Sequence, residues 1–249
     1  MTSEEVLMEH EHNVEAIQDR LSKGPGHNYL RDWIYGGIDG SVTTFAVVSG
    51  VAGARLSTWV ILVMGLANLL ADGFSMAASN FLGTKAEHED RKRIEEIEYR
   101  HVALAPEGER EEIRQIFQNK GFTGESLTVL VDLITSDPTR WVKTMLAEEY
   151  GLAHSVRSPW LAALATFTAF SICGAVPLLP YLLNTDYPLQ LSVLMTAIAF
   201  FLIGSVKSRW STSSWWRSGM STLTIGIIAA GLAYGAGLAL NYLTNHVSG

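Results

Sequence analysis

Two groups of side chains in this sequence have the types and spacing to handle a metal cation. The first lies in apolar surroundings: Asp39 and Thr43 stand one helical turn apart, and Asn68, Asp72 and Met76 follow at i, i+4 and i+8, with Ser75 and Ser79 beside them. On helices those intervals set oxygen and sulfur donors along one face. A charged side chain at the centre of a bilayer costs roughly 2.5–3.5 kcal/mol on insertion scales, so an intramembrane carboxylate marks a functional site by default. No Lys or Arg lies inside the apolar stretches to neutralise Asp39 or Asp72. Their charge has to be met by a proton, a bound cation or a water-filled path, and each of these is a component of ion transport.

The second group is acidic and polar. Glu98 and His101 are i, i+3; Glu109 and Glu112 are i, i+3; Met145 and Glu149 are i, i+4. Each pair shares a helix face. Carboxylate, imidazole and thioether together suit Fe(II), Mn(II), Co(II) or Zn(II) better than Mg(II) or Ca(II), which prefer oxygen alone. Glu is frequent throughout this region, so the competing reading for any one of these residues is a solvated helix face. The same holds for Glu9, His10, Glu11 and His12 near the N-terminus.

The elements that must position these residues are helices. The chain has 249 residues, 48% of them hydrophobic, gathered in blocks. Arg31 to Gly53, Trp59 to Gly83, Pro159 to Leu183, Leu189 to Val206 and Met220 to Leu243 are each about the 20 residues that cross a hydrocarbon core as helix. The fold class is thus an all-α integral membrane protein with five transmembrane helices. The divisions are an amphipathic segment (1–30), spans one and two (31–83), a small helical cytoplasmic domain (84–158) and spans three to five (159–249). Lys and Arg concentrate at Arg20, Lys23, the long loop from Lys85 to Arg157, and Lys207, Arg209 and Arg217, which puts the N-terminus and long loop in the cytoplasm. Only Arg55 falls on the other side.

Local signals refine this plan. Val6, Leu7, Val14, Ile17 and Leu21 trace an amphipathic face. Gly36, Gly37, Gly40, Gly50 and Gly53 allow close helix approach in the first span, and Gly226, Gly231, Gly235 and Gly237, with a GxxxG pair, do so in the last. Arg31 and Asp32 are assigned to the membrane interface. The second span continues as helix beyond Gly83 into the loop. Pro106 opens a second loop helix that Gly121 ends, a third fits Glu125 to Thr135, and Asp137 caps a fourth running to about His154. Gly174, Pro177 and Pro180 break the third span. Trp210, Trp215 and Trp216 form an interfacial belt. An odd number of spans without an internal repeat points to a two-fold homodimer.

The formal charge of −7 excludes nucleic acid as a partner and favours cations. Cys173 stands alone, so no disulfide forms within the chain.

The segments GGIDGSVTTFAVVSG, GLANLLADGFSMAASNFLGTKAE, WVKTMLAEEYGL and PLLPY resemble the vacuolar iron transporter family, in a prokaryotic-type member. The resemblance covers essentially everything beyond about residue 30. It implies a homodimeric five-span transporter that moves Fe(II), and often Mn(II), out of the cytosol in exchange for protons. By position, Asp39 matches the family's first-helix aspartate and Met76 its second-helix methionine, both on a translocation path at the dimer interface. With Pro106 aligned to the proline before the family's second soluble helix, Glu98, Glu109, Glu112, Met145 and Glu149 match its cytoplasmic metal-binding domain. Three positions depart from the pattern: His101 stands where a glutamate is expected, Leu146 where plant members have a second methionine, and Asn68 where they have an acid, with Asp72 one turn away.

The expected function is therefore a transporter, not an enzyme, exporting Fe(II) and Mn(II) by proton antiport through Asp39, Thr43, Asn68, Asp72, Ser75, Met76 and Ser79. Glu98, His101, Glu109, Glu112, Met145 and Glu149 gather the ion, with Zn(II) and Co(II) as further cargo and no prosthetic group. The partners are membrane lipid, divalent metal ions, protons and a second copy of the chain. The alternative is a membrane-anchored iron-binding or ferroxidase-type protein, because Glu98-x-x-His101 resembles the ExxH element of di-iron carboxylate proteins. A bacterial plasma membrane is favoured over a vacuole or other organelle.

Overall fold

The computed structural model describes residues 13–23, 28–152 and 157–247, and every regular element among them is helical. Four helices open on a proline: α4 (Pro106–Asn119), α6 (Pro138–Glu148), α7 (Pro159–Ala175) and α9 (Pro188–Lys207). The ring presets a helical φ, and the missing N–H is not needed in a first turn. Between these starts lie α1 (Val14–Lys23), α2 (Leu30–Gly53), the 47-residue α3 (Thr58–Leu104), α5 (Gly124–Thr135), the short α8 (Leu179–Leu182) and α10 (Trp215–Val247).

The chain divides into two compact units, one built on Tyr29–Lys85 and Ser158–Gly249, the other on Ala86–Arg157 with the N-terminal segment ending at Asn28. The first is apolar. Within it α2 packs along α7, α9 and α10. Contact with α7 is close because a Cβ on Gly36 would sit 2.3 Å from Thr166 O, and one on Gly40 the same distance from Phe170 O. Phe45, Val48, Leu69, Phe170, Leu178 and Tyr181 form the core beside this contact. The outside is also apolar: Phe74, Ile172, Ile198 and Leu232 are exposed. Helices that are apolar on both sides need hydrocarbon as their solvent.

Among the described residues four stretches are long and apolar enough to cross a membrane: Thr58–Leu104, Pro159–Leu182, Pro188–Lys207 and Trp215–Leu243. The first of the five expected spans, now α2, is not among them. Arg31, Asp32, Asp39 and a series of Gly and Ser residues lower its hydropathy. Eleven of its residues are buried against its neighbours.

The third stretch breaks at the prolines, where α7 gives way to a 3-10 turn at Val176–Leu178 and then α8. Ser192 Oγ donates to the Pro177 carbonyl at 2.7 Å. Among the described residues, nothing lies within 4 Å of a Cβ placed on Gly231 or Gly235, whereas Gly226 lies against the Phe200 ring and Gly237 against Gly50 O.

In the second unit α4, α5 and α6 close on Ile113, Leu127, Val131, Ile134, Trp141 and Met145, with Val102 of α3 against them. Leu127, Val131 and Ile134 recur at the 3.6-residue period, so α5 presents one apolar stripe. Asp137 caps α6, accepting from the Thr139 and Arg140 amides at 2.8 and 3.2 Å. Those two bonds hold its carboxyl below the usual range. Helix α6 ends at Glu148 rather than near His154, which lies outside the described residues. Gly151 takes a left-handed φ of 63°, and the Leu152 amide turns back to Leu146 O at 2.8 Å.

Candidate metal centre

Helical periodicity brings Glu98 and His101 to one face of α3, and the proline start of α4 puts Glu109 in that helix's first turn. The two elements meet so that one ligand atom from each of Glu98, His101 and Glu109 lies within 4.8 Å of the others. His101 Nδ1 is 3.7 Å from Glu98 Oε1 and 3.4 Å from Glu109 Oε1. Glu98 is 1% and Glu109 6% exposed, while His101 opens to solvent. The second oxygen of each glutamate, Oε2, is buried and accepts no hydrogen bond from the described residues.

A buried acceptor without a donor costs about 1–3 kcal/mol, and more when charged. Two carboxylates with such atoms, set beside one imidazole, form an arrangement that a divalent cation relieves. Two carboxylate oxygens and a ring nitrogen also form the donor set that suits Fe(II), Mn(II), Co(II) and Zn(II).

The electrostatics agree with this. Burial, then repulsion from Glu112 and Glu98, pushes the Glu109 carboxyl up to about 7, with His101 opposing. Glu149 is raised by burial and then by Glu112 and Glu98. Glu112 and Glu149 are solvent-exposed and act on the cluster through charge. Met145 is fully buried in the apolar core of the same unit.

Tyr150 is a neighbour that sequence reasoning did not select. Its hydroxyl donates to Glu98 Oε1 at 3.0 Å and lies within hydrogen-bonding reach of Glu149. Burial and these contacts push the phenol up, so it remains a donor. A tyrosine directly after a candidate ligand at a helix end was the available signal.

In the apolar unit the expected pathway residues separate into two sets. Asp39 is half-buried on α2, and Thr43 Oγ1 donates to its backbone carbonyl at 2.9 Å. Asn68 Nδ2 reaches the hydroxyls of Thr43 and Thr44 at 3.2 and 3.3 Å, tying α3 to α2. Asp72 is close enough to Asp39 for their charges to interact. Met76 packs partly buried against the core. Asp72, Ser75 and Ser79 are exposed along α3.

Asp32, in the first turn of α2, is 4% exposed, and Asn80 Nδ2 donates to its Oδ1 at 2.9 Å. The same amide reaches Thr166 Oγ1 at 2.7 Å and Ala162 O at 3.2 Å, so α2, α3 and α7 share one polar junction. Glu9, His10, Glu11 and His12 lie outside the described residues.

These features define a helical membrane protein that carries a carboxylate–histidine cluster. The chain belongs to the VIT family, whose sequence model matches residues 30–238. It is 30% identical over 210 residues to vacuolar iron transporter 1 of Arabidopsis thaliana, covering 82% of this chain and 83% of that one. Vacuolar iron transporter 2 of Oryza sativa subsp. japonica is 30% identical over 85% of this chain and 87% of its own. The vacuolar iron transporter of Toxoplasma gondii is 29% identical over 86% of this chain and 74% of its own.

Proposed function

We propose that this protein exports Fe(II), and Mn(II) beside it, from the cytosol across the membrane in exchange for protons. The observation that carries the reading is the pair of buried carboxylates of Glu98 and Glu109 beside His101, each with an Oε2 that no described residue donates to, in a chain whose relatives are named iron transporters. Glu98, His101 and Glu109 hold the ion, Glu112 and Glu149 add negative charge that draws cations to the mouth, and Met145 backs the cluster from the core. In this reading α2 is a fifth span, the carboxylate unit is cytoplasmic, and a second copy covers the exposed Asp72, Ser75 and Ser79.

Within the membrane, Asp39, Asp72 and Met76 relay the ion, with Thr43 and Asn68 fixing the helix contact beside them. A carboxylate left bare when the ion departs would be too costly in low dielectric. It takes a proton, and that exchange couples the two fluxes. The chain sits in a bacterial plasma membrane, with Zn(II) and Co(II) as secondary cargo.

Metal uptake into sealed liposomes carrying the purified protein and an internal pH dye tests this. Fe(II) or Mn(II) entering with internal alkalinisation, and lost in Asp39→Asn, is the expected result. Metal bound without accumulation, with oxygen consumed on adding Fe(II), would instead make the carboxylate unit a ferroxidase-type site.

A further inference from the structure

Glu98 has two chemically equivalent oxygens, and the carboxylate torsion that exchanges them is broad and two-fold. In the structure they are not equivalent. Oε1 accepts the Tyr150 hydroxyl at 3.0 Å, while Oε2 is buried and has no donor among the described residues. Tyr150 comes from a different part of the carboxylate unit than Glu98, just past the end of α6 at Glu148, where Gly151 with its φ of 63° and the Leu152 to Leu146 bond turn the chain. That turn delivers the phenol to α3. The residue is 39% exposed, and the core cluster of the unit is built from other side chains. What Tyr150 contributes is its hydroxyl, placed where it touches Glu98 and reaches Glu149.

We propose that Tyr150 is a positioning residue for the metal cluster: its hydroxyl engages Glu98 Oε1 and fixes the carboxylate plane within the cluster of Glu98, His101 and Glu109, leaving Oε2 available to an ion. The inference rests on the metal-holding role given above to Glu98, His101 and Glu109. Groups behind a ligand that fix its orientation typically change metal affinity by about 10- to 100-fold when removed. A hydrogen bond to a carboxylate oxygen that does not bind the ion also leaves the ligand's charge intact, so the device orients without weakening attraction.

The test is a thermodynamic cycle on the full-length protein in detergent, reading Mn(II) affinity by titration and metal-free melting temperature in parallel. The variants are Tyr150→Phe, which removes only the hydroxyl, Glu98→Gln, and the two combined. Tyr150→Phe should weaken Mn(II) binding by about tenfold or more with the metal-free melting temperature unchanged. It should have little further effect once Glu98 is glutamine, because the two groups act as one.

Unchanged affinity in Tyr150→Phe, or an equal loss with and without Glu98→Gln, would overturn the positioning role while leaving the metal centre standing. A wild-type protein that binds no Mn(II), Fe(II) or Zn(II) would overturn the metal centre itself, and this inference with it.

Discussion

The molecule contains two buried carboxylate sites built to opposite ends. Asp32, in the apolar unit, meets an amide: Asn80 donates to it and also reaches Thr166 and the Ala162 carbonyl, so three helices are joined at one point. In the carboxylate unit Glu98 and Glu109 are buried as deeply, yet each keeps an oxygen with no donor beside a half-open histidine. The first site is complete as it stands and holds helices together. The second holds unspent acceptor capacity that an incoming cation would use. Burial of an acid therefore does not by itself mark a candidate metal site; among the described residues, a buried acid oxygen without a donor does.

The sharpest way to break that contrast is at the glutamates. Replacing Glu98 and Glu109 together by Gln should reduce Mn(II) affinity by more than about 100-fold, beyond the range for groups that only orient ligands. It should also raise the melting temperature of the metal-free protein, because two desolvated charges disappear. Titration and a thermal melt on one preparation read both.

At the helix contact beside Asp32, Gly40→Leu should destabilise the apolar unit by about 3 kcal/mol, the upper part of the range for overpacking. The added Cβ would meet the Phe170 carbonyl, which cannot swing away as a side chain would. Gly231→Leu, in open space, should be near neutral. Denaturation of the two variants in the same detergent compares them.

A smaller loss, about 1–3 kcal/mol, is expected for Asn80→Ala, which strips Asp32 of that donor. Mn(II) affinity should not change. A parallel fall in affinity would show that the two sites are not independent.

The smallest effect is in pH. The Glu109 carboxyl is raised from 4.5 to about 7, so between those values the folded protein binds more protons at this group than the unfolded chain does. Stability from this group is thus fully present below about pH 4.5 and is lost as pH rises through 7. Because bound metal replaces the proton, the rise in melting temperature caused by Mn(II) should grow from about pH 5.5 to about pH 7.5. Melts with and without Mn(II) across that range measure it.

How much of this was legible in the sequence depended on whether the signal was local. The pairing of Glu98 with His101 is a property of one helix, and Pro106 marks where the next one begins, so three members of the cluster could be named from spacing. Tyr150 could not, because its meeting with Glu98 depends on a chain reversal at Gly151 and on packing between segments 52 residues apart in sequence. The burial of Asp32 was hidden for a related reason. Hydropathy along α2 puts it at the edge of an apolar run, but Gly36 and Gly40 draw α7 so close that the residue is covered. Helix α2 also carries enough polar residues to fall outside the membrane-crossing set, and the GxxxG motif identified a small-residue face without saying what covers it. The end of α6 was set too late because the left-handed turn at Gly151 carried more weight than the helical periodicity beyond it.

The measurement that bears most directly on the central claim is an anomalous difference map from crystals of the full-length protein grown with Mn(II). A single strong peak bonded to Glu98 Oε2 and Glu109 Oε2, with His101 turned toward it, is the expected result. Density confined to the exposed carboxylates of Glu112 and Glu149, with Oε2 of both buried glutamates still bare, would contradict it.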